Sequence, residues 1–280
     1  MQEKAIKFQK LHLSGTPFIM ANAWNAGTAV LLEEAGFDAI GTTSAGIAFS
    51  RALPDYEGKL PFDSALKETH RIAEAVHIPV SMDAENGYGH SPESVSMNMK
   101  RISASGVVGA SIEDYTGNID NPLYDIELAV ERIRSAKESV AALGYPFTLT
   151  ARAECFLTGH PDPLKESIKR VNRYREAGAD CLFVPGIRDI ETIRLMVREV
   201  DGPLSVVMGL SGSPISLSDL ADIGVARISI GGSLARATFF LVRRAAKEML
   251  EKGTFEFSNN QIADDELCRL FSKNKSGPAT

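Results

Sequence analysis

The chain has 280 residues, 44% hydrophobic and 24% charged, enough for one large core or two small ones. A net charge of -6 and a pI near 5.5 exclude nonspecific binding to nucleic acid or an anionic membrane surface, because no basic excess draws the chain to either. No apolar run is long enough to span a bilayer, and the start, Met1-Gln-Glu-Lys, lacks the apolar core of a signal peptide, so a cytoplasmic protein is expected.

Residues 4 to 12 read as a short helix ahead of a first strand, Pro17 to Asn22. A helix carrying Ala29, Leu31, Leu32 and Ala35 then stops at Gly36, the usual left-handed cap. The cycle repeats. Short apolar runs stand at about 38 to 43, 79 to 83, 107 to 112, 147 to 152, 181 to 184, 203 to 207 and 226 to 230, each beside a helical pattern. Several helices end in a similar phrase, among them Glu34-Ala-Gly-Phe-Asp38, Glu176-Ala-Gly-Ala-Asp180 and Asp222-Ile-Gly-Val-Ala226. Continuous apolar strands alternating with helices imply a parallel sheet buried on both faces. Eight such units predict an α/β fold of the (β/α)8 TIM-type, a single barrel domain over 1–253 with a helical extension and tail over 254–280. The runner-up is an open doubly wound sheet. Its glycine fingerprint is missing, since the first strand runs into Ala23-Trp-Asn-Ala-Gly27.

In such a barrel the chemistry sits at the C-terminal ends of the strands. The third strand runs into Asp83-Ala-Glu85 and then Gly87 and Gly89; alternation along a strand puts both acids on one face, where they suit a hard divalent cation that keeps several waters. The second strand ends in Thr42-Thr-Ser-Ala-Gly46 and leads past Pro54 to Asp55, the fourth ends in Glu113-Asp114, and the fifth in Arg152-Ala-Glu154. Acids at neighbouring strand ends with an arginine among them predict an anion-binding metal site. Bland alternatives stand beside this. Arg152 can be only an ion-pair partner of Glu113 or Glu154, Asp55 a turn residue, Trp24 a packing residue rather than a cover for a planar ligand, and Thr43 and Ser44 helix caps. His90, before Ser91-Pro92, reads as part of a helix start. The histidines offer no obvious base. Cys155, Cys181 and Cys268 match neither a disulfide framework nor a zinc spacing.

Asp83-Ala-Glu-Asn-Gly-Tyr-Gly89, Ile112-Glu-Asp114, Ala151-Arg-Ala-Glu154 and Glu176-Ala-Gly-Ala-Asp180, in this order and spacing, resemble the isocitrate lyase and phosphoenolpyruvate mutase superfamily. The likeness runs from about residue 5 to 250. Among its members the chain looks like the 2-methylisocitrate lyase-like, phosphonopyruvate-processing and carboxyvinyl-carboxyphosphonate phosphorylmutase-like ones. The resemblance implies Mg2+, with Mn2+ as a substitute, held at Asp83 with Glu85, Glu113 and Asp55 contributing directly or through water. It implies a small-molecule carboxylate bound by Thr43, Ser44 and Ala45, an anion-neutralising role for Arg152, and an aromatic lining role for Trp24. Catalytic roles fall to Arg152, Glu113 and Asp55. It further implies that the last barrel helix is exchanged between subunits of a homodimer or homotetramer.

The departures bear on subclass. Lyases of the superfamily carry a Lys-Lys/Arg-Cys-Gly-His segment after the Glu-Asp pair, whereas residues 114 to 125 here have no cysteine, lysine or histidine. The mutase and hydrolase branch has a lysine there, also missing. The usual asparagine near strand seven is replaced at Ser205 or Val206, and Glu85 stands where aspartate is common. The expected function is a Mg2+-dependent lyase cleaving a C-C bond of a 2-oxo or 2-hydroxy acid through a pyruvate-like enolate, decarboxylation included, with water or a tyrosine such as Tyr115 or Tyr124 as the acid. C-P mutase or hydrolase chemistry is the alternative. From another class, a non-catalytic 2-oxo acid binding protein fits the same residues.

Overall fold

In a computed structural model, which describes residues 1–55, 58–210 and 215–273, the chain opens with α1 (Gln2–Leu13) and then winds eight strand-helix units. The strands are β1 (Phe18–Ala23), β2 (Ile40–Thr42), β3 (Val80–Asp83), β4 (Gly109–Glu113), β5 (Thr148–Arg152), β6 (Cys181–Phe183), β7 (Leu204–Val207) and β8 (Arg227–Ser229). All neighbours pair in parallel and β1 closes on β8, making a closed eight-stranded barrel. Around it lie α2 (Ala26–Glu34), α3 (Ser44–Ser50), α4 (Phe62–Glu74), α5 (Pro92–Ser103), α6 (Ile126–Val140), α7 (Pro163–Glu176), α8 (Ile190–Glu199) and α9 (Leu217–Asp222). The chain then runs through α10 (Ser233–Lys252) and α11 (Asp264–Lys273).

The helices begin where the sequence supplies oxygen caps. Ser91, Asp162, Asp189 and Ser216 each accept a hydrogen bond from an amide of the first turn, and Pro92 and Pro163 fill first-turn positions where no amide is needed. The outer helices bury one face each. On α6 the buried positions are Ala129, Val130, Arg132, Ile133, Ala136 and Val140, the three-to-four spacing that packs one helical stripe on the sheet. The pairing of β1 with β8 excludes the open-sheet alternative.

The barrel interior is less apolar than the branched filling usual for this fold. Ser81, Ser111, Ser229 and Gly41 line a cavity that opens at the mouth and descends to Arg227. Arg227 is buried, and its Nε and Nη1 meet neutral groups: Ser205 Oγ at 3.0 Å, Thr150 Oγ1 at 3.1 Å and His12 Nε2 at 3.1 Å. His12 belongs to α1, which closes the barrel floor. Its Nδ1 stands 2.8 Å from the Phe8 carbonyl, so Nδ1 carries the proton and Nε2 is left to accept from Arg227. Burial, with the Arg227 charge beside it, pushes the imidazole pKa down to about 3.

Candidate active site

The segment after β3 is shaped by its backbone. Glu85 and Tyr88 have φ of 45° and 53°, left-handed values that side chains other than glycine rarely take, and Gly87 (φ 78°) donates from its amide to the Ala84 carbonyl at 2.7 Å. Any β-carbon at Gly87 would come within 3.2 Å of Val95. The turn is held from below by Arg132, which donates to the carbonyls of Asn86 and of Gly89 (3.0 Å) while its guanidinium carbon lies 3.9 Å from the centroid of the Tyr124 ring.

This corrects the alternation argument for the two acids. β3 ends at Asp83, and Glu85 reaches the cavity through a left-handed turn rather than from a strand position. Both nevertheless line the cavity with Asp55, Glu113 and Arg152. Asp83 Oδ2 accepts from the Ser44 amide at 3.0 Å and the Ser44 hydroxyl at 2.9 Å, and its own amide donates to Thr42 Oγ1 at 2.9 Å. Thr43 is the N-cap of α3, accepting from the Gly46 amide, so its capping role is real and Ala45 stands in the first turn beside it. Thr43, Ser44 and Ala45 all line the cavity.

Arg152 is gripped by two acids. Its Nη1 lies 3.1 Å from Glu113 Oε2 and its Nε contacts Glu154 Oε1, both partners being buried. Burial raises the carboxyls of Glu113 and Glu154, although Arg152 pulls each back toward the charged form. Glu85 is pushed up to about 7, first by burial and then by the negative charge of Asp83, with Asp55 adding to it. Tyr88 donates to Glu85 at 3.1 Å.

Trp24 is not brought to the cavity. It is buried in the core, and a β-carbon at Gly46 would sit 2.8 Å from the tryptophan Cβ, so α3 lies down directly upon it. Asp114 is structural as well: it accepts from Tyr174 OH at 2.6 Å, Arg170 Nη1 at 3.0 Å and the Glu154 amide at 2.8 Å. Among the lining residues that escaped the sequence reading are Asn22, His90 and Arg227. Asn22 donates to the Thr42 carbonyl at 2.7 Å and accepts from the amides of Ile230 and Gly231 at 3.0 and 2.9 Å, tying the β2 and β8 ends together. His90 lines the cavity with Nδ1 2.6 Å from Tyr124 OH. Arg227 forms the floor.

Among the described residues no three His, Cys, Asp or Glu side chains are gathered tightly enough to hold an ion as they stand. The donor set still fits Mg2+, which keeps several waters and needs one or two direct carboxylates. Asp83, Glu85, Glu113 and Asp55 stand around one cavity with Arg152 as the cation among them, and after burial it is the charge of Asp83 that raises Glu85.

Residues 8–250 match the family model described as phosphoenolpyruvate phosphomutase. The chain belongs to this family. It is an enzyme of the isocitrate lyase and phosphoenolpyruvate mutase superfamily. The 2-methylisocitrate lyase of Escherichia coli strain K12 is 29% identical over 211 residues, covering 72% of this chain and 69% of that enzyme. A putative lyase/mutase from Burkholderia cenocepacia J2315 has a crystal structure that superposes with a TM-score of 0.93 at 44% identity, covering 97% of this chain and 96% of that one. A phosphonopyruvate hydrolase, crystallised with oxalate and Mg2+, superposes with a TM-score of 0.86 at 25% identity, covering 97% and 96%. Within the family, Cys155 is no candidate for a catalytic thiol here: it is buried, and burial pushes it up to about 12.

Proposed function

We propose that the barrel mouth is the site of a Mg2+-dependent lyase that cleaves a C-C bond of a 2-oxo or 2-hydroxy carboxylic acid and releases a pyruvate-like enolate. The observation that carries this reading is the convergence of Asp83, Glu85, Glu113 and Asp55 with Arg152 on one cavity of about 330 Å3, room for a small acid and little more. Support also comes from the 2-methylisocitrate lyase relative and from the oxalate and Mg2+ in the phosphonopyruvate hydrolase neighbour. Mg2+ or Mn2+, held at Asp83 with Glu85, Glu113 and Asp55 directly or through water, supplies Lewis-acid stabilisation of enolate charge.

The protein's own groups do the rest. The first turn of α3, with Thr43, Ser44 and Ala45, offers amides and hydroxyls to the substrate carboxylate. Glu113 would be shared between Arg152 and a bound cation, so that Arg152 could turn one edge of its guanidinium to the substrate anion while Glu154 holds the other side. Tyr115 and His90 line the cavity, and Tyr115 or the His90–Tyr124 pair is the proton donor that replaces the missing loop cysteine.

A panel of 2-oxo and 2-hydroxy acids assayed for pyruvate release tests the proposal. Release that requires Mg2+ and stops with EDTA is expected; no release from any acid favours the binding-protein alternative. C-P chemistry is the second reading, favoured by the phosphonopyruvate hydrolase likeness, and phosphonopyruvate belongs in the same panel.

The assembly is part of the proposal. Of the twenty residues of α10 only Ala235 and Ala245 are buried, while Phe239, Phe240, Leu241 and Val242 are exposed. Such a helix suits exchange onto a neighbouring barrel in a homodimer or homotetramer. No helix among the described residues is long and apolar enough to cross a membrane, and we place the enzyme in the cytoplasm.

A further inference from the structure

Below the acid cluster the cavity changes character. Ser81, Ser111 and Thr150 stand two positions before Asp83, Glu113 and Arg152 on β3, β4 and β5, so they form a layer about 7 Å deeper in the barrel. Thr150 is in register with Ser111, and Ser81, Ser111 and Arg227 all line the cavity. Arg227, at the start of β8, reaches into this layer through Nη1, which donates to Thr150 Oγ1.

Arg227 is 2% exposed. Its three hydrogen bonds use Nε and Nη1, and among the described residues Nη2 has no partner. The Ser81 and Ser111 hydroxyls have none there either. The buried side-chain atoms that lack both a partner and solvent contact are, among the described residues, Thr69 Oγ1, Arg132 Nε and Ser167 Oγ, so the three idle donors keep surface open to the cavity they line. The guanidinium also lacks a counter-charge. Ser205 and Thr150 are uncharged, His12 is held neutral, and burial pushes the Cys181 thiol above its ordinary range. A buried cation with neutral neighbours and a free N–H edge gains by taking an anion, because unpaired buried charge is costly.

We propose that Arg227 Nη2 and the hydroxyls of Ser81 and Ser111 form a second anion subsite at the barrel floor, suited to one carboxylate or an ion of that size and separate from the anion position at Arg152 and the α3 turn. Two sources share this chemistry. One is a free small ion, and the other is a second carboxylate of the acid bound at the mouth, which the continuous cavity lets descend. The donors are complete without a metal, so the subsite stands or falls apart from the reading of the mouth as a Mg2+ site.

Titration calorimetry of the full chain with sodium formate, in EDTA and with gluconate holding the ionic strength, tests the subsite. Saturable binding of one formate per chain is expected. Arg227→Gln should weaken it by roughly tenfold or more, and Ser81→Ala by about threefold or more. Ser111→Val, which leaves the guanidinium in place and fills the space beside Thr150, should weaken it too; if Arg227→Gln does not fold by circular dichroism, the two serine variants decide. Arg152→Lys, expected to weaken anions held at the mouth, should leave formate binding unchanged. No saturable binding in the parent, as for a floor filled by water alone, or a loss that follows Arg152→Lys and spares the floor variants, would overturn the proposal. A second titration with Mg2+ present separates the sources. Displacement of formate by malate but not by lactate assigns the subsite to a second carboxylate of the substrate, and displacement by neither assigns it to a free ion. Displacement by both places formate at the mouth and overturns the subsite.

Discussion

At the residue scale the site turns on how Arg152 is shared. A guanidinium can meet Glu113 with one nitrogen and Glu154 with another, as it does here, and still present a planar edge to a carboxylate. An ammonium cannot. Arg152→Lys keeps the charge but should raise KM by roughly tenfold or more, because one point charge replaces a fork held by two acids; steady-state kinetics with the pyruvate-releasing substrate checks it, and an unchanged KM and kcat would remove Arg152 from substrate binding. Asp83, Glu113 and Arg152 were legible as lining residues because charge stands at the C-terminal ends of apolar strands, which needs only local sequence, while Glu85 follows in the turn after β3 and Asp55 in the segment after α3. Arg227 interrupts a strand too, but its partner His12 lies 215 positions away, and sequence spacing carries no trace of such a contact. His90 reads as a helix start because Ser91 and Pro92 do form one; its approach to Tyr124 depends on where α6 begins. Trp24 misleads for the converse reason, since an aromatic beside a strand end faces core or cavity according to how α3 packs.

Two elements have properties that can be measured separately. α1 plugs the floor with a neutral His12, held near a pKa of about 3 when folded and near 6.5 when unfolded. Between those values the unfolded chain binds more protons, so this contribution is complete above pH 6.5 and is lost as pH falls toward 3. From pH 6.5 to 5 the loss amounts to about 2 kcal/mol. Denaturant midpoints at the two pH values should therefore fall more for the parent than for His12→Gln, whose amide does not titrate; equal slopes would show that His12 is not the acid-sensitive group. The segment from Asp114 to Asp125, whose glycine and asparagines suit a lid, is a hairpin with its own bonds: Tyr115 bridges Leu123, and the Thr116 amide donates to the Pro122 carbonyl at 2.9 Å. Its tip residue Ile119 is 86% exposed, while Tyr115 and Gly117 line the cavity. Limited proteolysis near Ile119 should slow several-fold with Mg2+ and pyruvate together and with neither alone. Cleavage indifferent to both would mean that the hairpin does not close over the ligand.

For the whole molecule, the eight strands were legible because a barrel strand is buried on both faces and reads as an unbroken apolar run. The fate of α10 was not, since a helix with apolar residues on more than one side fits an intramolecular core or a partner equally well. Its exposed Phe240 and Val242, 64% and 62% accessible in the single chain, favour a partner. Light scattering at micromolar concentration should give at least twice the 30.2 kDa of one chain, and a stable monomer would refute the exchange. A chain ended before Ser233 should be insoluble, as it lacks the helix while its partner's groove stays bare. The central claim, that the acid cluster loads a divalent ion and generates a pyruvate-like enolate, has a test that needs no knowledge of the natural substrate. An enzyme that protonates such an enolate also forms it in reverse, so the methyl protons of pyruvate should exchange with deuterium in D2O, followed by proton NMR. The account predicts exchange with the parent protein and Mg2+, its loss with EDTA, and its loss in Asp83→Ala with the barrel still folded by circular dichroism; exchange that persists in EDTA and in Asp83→Ala, or that never exceeds the protein-free rate, would contradict it.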